Sequence, residues 1–274
     1  MSGFSLNLVL QDNRVSIRWH MTKLQIKSDR ITSFGGIFLV NRLFDHFSLG
    51  KVINDTLGLR STAHNGYQWD EIVKSLFDIY LCGSDHIEDI TSLMPCLSQA
   101  PDSHVPSSDT IGRGIKQLAT DNVTSTAKSG NTYAFNTNEL LNDLLMKLNM
   151  AVGLFKSGQF LDVDFDHQFI PTEKHDATYS YKKAFGYFPG VASVGGVIVH
   201  VENRDGNTPV KFCQAETLKR LFASLRKHGL FIYRFRADCG SYSKEIVETI
   251  DAHSNLFYLR ASNCESAYTE FAEL

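Results

Sequence analysis

The sequence has few of the features that mark secreted, membrane-spanning or zinc-binding proteins. Its five cysteines are an odd number and include no Cys-x-x-Cys pair, which argues against a disulfide framework and a zinc knuckle and indicates a reducing compartment. No run reaches ~18 uninterrupted apolar residues, and the first residues lack a basic segment ahead of a long apolar run. We therefore expect a soluble cytoplasmic protein that does not enter a membrane.

The sequence also lacks a strong net charge, so no global field attracts nucleic acid. The formal net charge is -3, and any DNA binding must come from local basic patches. The 274 residues, of which 43% are hydrophobic, suffice for one large domain or two ordinary domains with real cores. No internal repeat or low-complexity tract is present, so the composition predicts a globular protein without indicating its chemistry.

The first half of the chain is predicted to be mostly helical. Apolar residues at helical spacing predict helix between Phe34 and Leu57, with Gly50 as a stop, and again from Trp69 to Leu81. A polar stretch from Asp121 to Asn138, rich in Thr, Ser, Asn and Gly, predicts a linker or exposed loop. We therefore place a boundary near Gly130, between a helical, DNA-binding region (residues 1–130) and a second domain (residues 131–274).

A short amphipathic helix in the first region carries the predicted DNA contacts. Ser107 or Ser108 is its expected N-cap. Its expected buried stripe consists of Ile111, Ile115 and Leu118. Arg113 and Lys116 lie on the outer side, where a recognition helix contacts DNA, although a solvated helix face gives the same pattern. Interspersed basic residues from Arg14 to Arg30 form a second candidate for phosphate contacts.

The second half of the chain alternates between strand and helix patterns. The predicted elements are a helix at residues 139–155, a strand at 160–170, a β-rich run at 190–201, a helix at 215–228, a strand at 231–237, a helix capped by Ser243 and a last strand, LFYLRAS. An aromatic and basic loop precedes the β-rich run, and its Lys182 and Lys183 are further candidates for DNA contacts. This order fits an α/β fold with an RNase H-like mixed sheet, whose early antiparallel strands are joined by a helix to parallel strands.

Acidic side chains alternate with apolar residues along the strand FLDVDFDHQFI. The period of two puts Asp162, Asp164 and Asp166 on one face, where they repel one another unless a cation binds or the strand end is solvated. Asp238 follows the apolar strand at 231–237 in the same way. We predict that Asp164 and Asp238 lie close together at neighbouring strand ends, because shared hard cations require carboxylates from both strands.

Spacing alone leaves four interpretations of this acidic run open. An EF-hand calcium loop has Glu173 at its twelfth position, but His167 stands where that loop needs glycine and Pro171 interrupts it. A haloacid-dehalogenase-like phosphatase begins with a strand ending in Asp-x-Asp, but Asp166 and the following β-rich run depart from its pattern. The remaining two are a solvated strand end and a two-metal site for phosphodiester chemistry.

Four segments, in order and spacing, resemble the DDE transposases of bacterial insertion sequences. They are LDVDFDHQFIPTEKHDA, YKKAFGYFPGVASVGG, VENRDGNTPVKFCQ and RFRADCGSYS. Upstream, SFGGIFLVNRLFDHF, CGSDHIEDI and SSDTIGRGIKQLAT resemble the amino-terminal region of the same group, so the resemblance covers nearly the whole chain.

This resemblance implies a metal-dependent enzyme of DNA transposition. Its RNase H-like DDE domain would occupy residues 131–274, with Asp164 and Asp238 as catalytic, metal-binding acids and with Asp162 and Asp166 as stand-ins for the first. It implies Mg²⁺ or Mn²⁺ as cofactor. The implied partners are the terminal inverted repeats of the element and the target DNA, bound by a homodimer.

The third catalytic acid of the family is a glutamate on a later helix. Glu245 and Glu248 follow Asp238 too directly for that place, and Glu265 and Glu270 come too soon. We therefore expect a truncated, catalytically incomplete transposase, or alternatively a non-catalytic remnant that binds DNA or dimerises.

Overall fold

The computed structural model describes residues 32–63, 66–100 and 103–261, and within them helices come first and the sheet follows. The helices are α1 (Ile37–His46), α2 (Leu49–Leu57), α3 (Trp69–Leu81), α4 (Ile90–Leu97), α5 (Ser108–Gln117), α6 (Glu139–Ala151), α7 (Gln214–Lys227) and α8 (Lys244–Asp251). The strands are β1 (Val123–Thr126), β2 (Thr132–Asn136), β3 (Phe160–His167), β4 (Ile170–Pro171), β5 (Thr178–Tyr179), β6 (Phe185–Tyr187), β7 (Gly190–Val194), β8 (Val197–Arg204), β9 (Phe231–Ala237) and β10 (Ser254–Leu259).

The helical pattern between Phe34 and Leu57 forms two helices rather than one ending at Gly50. Ser48 takes the left-handed conformation, with φ at 53°, and interrupts the helical path between α1 and α2. Gly50, the predicted stop, lies inside the first turn of α2, so that prediction was wrong.

Helices α3 and α5 form where the sequence predicts them, and each begins with a side-chain cap. At the start of α3 the Gln68 backbone N–H donates to Glu71 Oε2 at 2.7 Å, half of a capping box. Ser107 caps α5 by accepting from the Thr110 N–H at 3.4 Å. Ile111 is buried as expected, whereas Ile115 is 42% exposed, so the predicted stripe is wrong at that position.

Seven of the described strands form one mixed sheet, in the order β1-β2-β8-β7-β3-β9-β10. Neighbours from β1 to β3 run antiparallel, whereas β3, β9 and β10 run parallel. Antiparallel strands joined through a helix to parallel ones match the predicted RNase H-like arrangement, and the α/β fold class is confirmed. Because β3 and β9 are parallel neighbours, their carboxyl ends meet at the same edge of the sheet.

A hairpin occupies the region predicted as a linker. Strands β1 and β2 pair from Val123↔Phe135 to Thr126↔Thr132, and β2 continues the sheet through Phe135↔Arg204. The prediction of a loop from Asp121 to Asn138 was therefore wrong. Its polar composition is compatible with an edge hairpin, because most of β1 faces solvent and needs no apolar alternation.

The main core lies between one face of the sheet and helices α7 and α8. Leu161, Val163 and Phe165 of β3 are fully or almost fully buried there. They belong to one cluster with residues from both helices, Leu218, Leu221, Leu225, Ile246 and Ile250. Each such aliphatic side chain contributes about 1.5–3 kcal/mol through burial. Gly229, at φ 71°, ends α7 where the sequence predicts its C-terminal stop.

A buried carboxylate ties helix α7 to strand β8. Glu202 is fully buried and accepts hydrogen bonds from Thr137, from Thr217 Oγ1 at 2.6 Å, and from Arg220 Nε and Nη2 at 2.6 and 2.9 Å. These hydrogen bonds and the Arg220 charge lower the pKa of Glu202 despite the opposing effect of burial, which is the largest single influence on it. The carboxylate therefore stays ionised inside the protein.

Helix α6 joins the helical region to the sheet. Its Leu144 shares an apolar cluster with Ile53 and Trp69, from α2 and α3. On its other side, the Asn142 side chain exchanges two hydrogen bonds with the Val201 backbone, at 2.8 and 2.9 Å. The described residues from Gly36 onward form one compact unit, and the division at residue 130 stays a prediction. None of the described helices is long and apolar enough to cross a membrane.

Candidate active-site cleft

The acidic strand β3 has two chemically different faces, as its period of two predicts. Leu161, Val163 and Phe165 point into the core, and the alternating acids Asp162 and Asp164 are only partly buried on the opposite face. The acids therefore lie on the side of the sheet that faces away from α7.

Two arginines on β9 pair with two of these acids. Arg234 Nε and Nη2 bind the Asp162 oxygens at 2.9 and 2.5 Å, and Arg236 Nε and Nη2 bind the Asp164 oxygens at 2.5 and 2.7 Å. The hydrogen bond from Arg234 lowers the pKa of Asp162, and the bond to Asp164 raises the pKa of Arg236. Both pairs are bidentate, the geometry in which a guanidinium fits a carboxylate best.

The pairing depends on an irregularity in the β3–β9 ladder. Leu161 stands opposite Ile232 but Asp162 stands opposite Arg234, so Tyr233 is an extra residue in β9. These arginine partners were not predicted, because register cannot be derived from one strand alone. The signal that was available is that Arg234 and Arg236 repeat the two-residue spacing of the acids.

The carboxyl ends of β3 and β9 border an open cleft of about 700 Å³. Its walls are Asp164, Phe165, Asp166, His167, Gln168, Val191, Ser193, Arg236, Ala237 and Asp238. Asp164 and Asp238, the acids predicted to meet, thus line the same cleft. Asp166 lines it too, whereas Asp162 and its partner Arg234 are absent from its walls.

Backbone geometry fixes the position of Asp238. The residue directly follows β9, and its carbonyl accepts the Ser241 N–H at 3.1 Å to close a 3-10 turn. Gly240 lies so close to it that an added Cβ would stand 3.0 Å from Asp238 Oδ1 and 2.9 Å from Val210 Cγ1. Only glycine allows this approach without displacing a neighbour, so Gly240 holds the space in which the carboxylate sits.

A neutral histidine lines the cleft. Burial, with a further contribution from Arg204, lowers the pKa of His167 to about 3. Arg204 contacts His167 Nε2 and also donates to the carbonyls of Pro209 and Phe212 at 2.9 and 2.7 Å. His167 is therefore hydrogen-bonded and uncharged at neutral pH, and Arg204 connects β8 to the segment that precedes α7.

The cleft offers the oxygen chemistry that hard divalent cations prefer, but not a formed metal cluster. Asp164 and Asp166, in the second half of β3, and Asp238, directly after β9, supply carboxylates from ordered backbone. Among the described residues, no three His, Cys, Asp or Glu side chains group closely enough to hold a metal ion. Glu245 and Glu248, on α8, are exposed and do not line the cleft.

The predicted DNA contacts lie on two separate elements. Arg113 and Lys116 are exposed on α5, where Arg113 Nη2 donates to Thr110 Oγ1 at 3.1 Å. Lys182 and Lys183 are exposed in the loop between β5 and β6, and Lys182 Nζ lies 5.0 Å from the centre of the Tyr181 ring.

The loop with these two lysines belongs to a small sheet whose strands pair in the order β4-β6-β5. Its first strand, β4, begins two residues after the cleft residue Gln168. The basic arm from Arg14 to Arg30 lies outside the described residues.

Comparison with protein families places most of the chain in one of them. The family model described as transposase DDE domain group 1 matches residues 17–266. A search of curated proteins and a search of solved structures gave no match.

Proposed function

This chain belongs to the transposase DDE domain group 1 family, and on that premise we propose that it is the DNA transposase of an insertion sequence, which cleaves and transfers DNA strands with the help of a metal ion. The predicted resemblance to DDE transposases is thereby confirmed, and the family implies DNA as the partner. The observation that supports the finer proposal is that Asp164 and Asp238 line one cleft at the carboxyl ends of neighbouring parallel strands.

We assign the two acids as the catalytic pair and the metal ligands. Members of this family generally use a divalent metal ion, for which we propose Mg²⁺ or Mn²⁺. Each of the two acids pairs with an arginine, and Asp164 is favoured over Asp162 as the first ligand because only Asp164 lines the cleft. Asp166 remains the alternative, since it lines the cleft as well.

The residues of the cleft would position a DNA phosphate beside these acids. A bound divalent ion would stabilise charge on the phosphoryl oxygens and lower the pKa of an attacking water. Arg236 carries a guanidinium suited to bidentate contact with a phosphate, and Gln168 and Ser193 add neutral hydrogen-bonding groups to the walls. Because β3 and β9 each pair with a strand on both sides, the acids are held on rigid elements.

Phosphate contacts away from the cleft would supply most of the affinity for DNA. We propose Arg113, Lys116, Lys182 and Lys183 for this role, because all four are exposed cations. The terminal inverted repeats and the target DNA would be bound by a homodimer. Each neutralised phosphate contributes a slope of about -0.9 to the dependence of log affinity on log salt.

Cleavage by this chain alone is expected to be weak compared with its binding. Asp164, Asp166 and Asp238 line the cleft, but no glutamate from a described helix lines it with them. Glu265 and Glu270 lie outside the described residues. This is the basis for the proposal of a catalytically incomplete transposase, with a DNA-binding or dimerising remnant as the alternative.

A cleavage assay tests both parts of the proposal. The full chain is incubated with Mg²⁺ or Mn²⁺ and the terminal DNA of its own element, with Asp164→Ala as the control. We expect DNA binding with little cutting. Robust cutting that disappears in Asp164→Ala would support the assigned site and refute incompleteness, and Glu245→Gln would then test that residue as the third acid. Unchanged cutting in Asp164→Ala would refute the assignment of Asp164.

The other interpretations of the acidic run find less support. The run lies in a β-strand and not in a loop between two helices, which is unlike an EF-hand. The sheet mixes antiparallel and parallel neighbours, which is unlike the doubly wound sheet of the phosphatase alternative. A cytoplasmic location remains part of the proposal.

A further inference from the structure

We propose that Arg236 is a built-in cation that competes with a divalent metal ion for Asp164, so that metal binding requires this arginine to leave the carboxylate. The inference rests on the proposed metal site. It adds a residue that sets the affinity of that site and so determines when the site is filled.

The geometry shows why arginine and metal compete. Arg236 engages both Asp164 oxygens at once, at 2.5 and 2.7 Å. A metal ion bound to the same carboxylate would bring a second positive charge next to the guanidinium, and the two charges would repel each other. Magnesium also requires near-ideal octahedral ligand directions, which a carboxylate already holding a bidentate guanidinium cannot readily offer.

Arg236 is placed so that it can leave and remain useful. The Arg236 and Asp164 side chains are 60% and 38% exposed, so the pair is open to solvent and ions. Exposed ion pairs are weak, and breaking one changes an equilibrium by a factor of about 1.4 to 5. Once released, the guanidinium still lines the cleft, where a DNA phosphate would be a bidentate partner of the same shape.

The neighbouring pair is a natural matched control. Arg234 binds Asp162 with the same bidentate geometry, on the same two strands, and is 47% exposed. Neither Arg234 nor Asp162 lines the cleft. Removing either arginine therefore changes net charge by the same amount, but only one of them contacts the acid assigned to the metal.

The test measures Mn²⁺ binding by the full-length chain without DNA, from the electron paramagnetic resonance signal of free Mn²⁺. The variants are Arg236→Gln, Arg234→Gln, Arg236→Lys and Asp164→Asn, each checked for folding by circular dichroism. We expect Arg236→Gln to bind Mn²⁺ roughly two- to fivefold more tightly, in line with the loss of an exposed competitor. Arg234→Gln should bind like the parent, Arg236→Lys should fall between, and Asp164→Asn should lose the site.

Each contrary outcome has a distinct meaning. If Asp164→Asn loses Mn²⁺ but Arg236→Gln does not bind more tightly, the metal site stands and the competition is refuted. If Arg234→Gln tightens binding as much as Arg236→Gln, general charge explains the effect and the inference fails. If Asp164→Asn binds Mn²⁺ normally, the proposed metal site itself is wrong, and tighter binding in Arg234→Gln alone would then indicate Asp162. If Arg236→Gln does not fold, Arg236→Lys must bind more tightly than the parent for the inference to survive.

Discussion

Replacing Arg220 with methionine should strongly destabilise the protein, because it leaves the Glu202 carboxylate buried without its counter-charge. Glu202 is fully buried, and Arg220 supplies two of its hydrogen bonds, at 2.6 and 2.9 Å. Breaking a buried pair by removing one partner costs about 3–5 kcal/mol. The Arg220 side chain is 37% exposed, so we expect a loss near the lower end of that range, about 3 kcal/mol. The free energy of unfolding is measured by urea denaturation.

The dependence of this loss on pH provides an independent check. In the parent protein the pKa of Glu202 is lowered below its ordinary value of 4.5, so the pair stabilises the fold above that pH, and the contribution is lost as the pH falls through the folded-state pKa. In Arg220→Met, burial opposed only by the hydrogen bonds from Thr137 and Thr217 should raise that pKa. The difference in stability between parent and variant should therefore begin to shrink above pH 4.5, as the pH falls through the raised pKa of the variant, and should shrink further below about pH 4.5, where the parent loses its own contribution.

A double variant controls for the packing lost with the arginine. Arg220→Met combined with Glu202→Gln removes both charges and keeps an amide that Thr137 and Thr217 can still contact. It should be more stable than Arg220→Met alone. A loss below about 1 kcal/mol in Arg220→Met, or equal losses in the single and double variants, would refute the view that the ion pair compensates for a buried charge.

Three further predictions concern the cleft and the DNA contacts. Gly240→Ala should fold normally but bind Mn²⁺ about tenfold more weakly, because its Cβ would press on Asp238; parent-like affinity would show that the carboxylate has room to move. Arg113→Ala with Lys116→Ala should lower the salt slope of DNA binding by about 0.9 for each residue that contacts a phosphate, and an unchanged slope would remove α5 from the interface. Because the pKa of His167 is lowered to about 3, its NMR signals should not shift between about pH 5 and 8, and a titration near neutrality would contradict its burial. Below about pH 6.5 the unfolded state binds a proton that the folded state does not, so this histidine should make the stability of the protein fall from that pH down to about pH 3.

The sequence predicted those elements whose apolar pattern follows from burial on one face. The bounds of β9 agree with the prediction at both ends, and those of α3 do as well, because each carries a clear period and end signals. The hairpin β1–β2 was missed, since strands at a solvated edge need no apolar alternation and Thr, Ser and Asn also favour loops. The break at Ser48 was missed because one left-handed residue leaves the apolar spacing unchanged.

The candidate site was predicted only as far as single strands allow. Two separate apolar runs indicated an acid on each strand; Asp238 directly follows β9 as predicted, whereas Asp164 lies within β3, which continues to His167. Their placement in one cleft required knowing that β3 and β9 are neighbours, which the predicted element order indicated. The Arg236 contact depends on the exact alignment of the two strands, a property of the pair that neither strand contains by itself.

At the extra residue Tyr233, strand β9 should respond differently to the loss of the residue and to a change of its side chain. Substituting Tyr233, which is 45% exposed, would cost little, because its ring packs into no core. Deleting it would leave the pairing with β3 regular, because Leu161 and Asp162 are consecutive and would then face consecutive residues, with Ile232 still in the core and Arg234 still on the open face. The cost would fall on the other neighbour, because β10 pairs without an extra residue, through Ser254↔Ile232 and Leu256↔Arg234. A single-codon deletion here should therefore keep both arginine–carboxylate pairs and loosen the edge strand β10, whereas a missense change at the same codon should disturb neither neighbour.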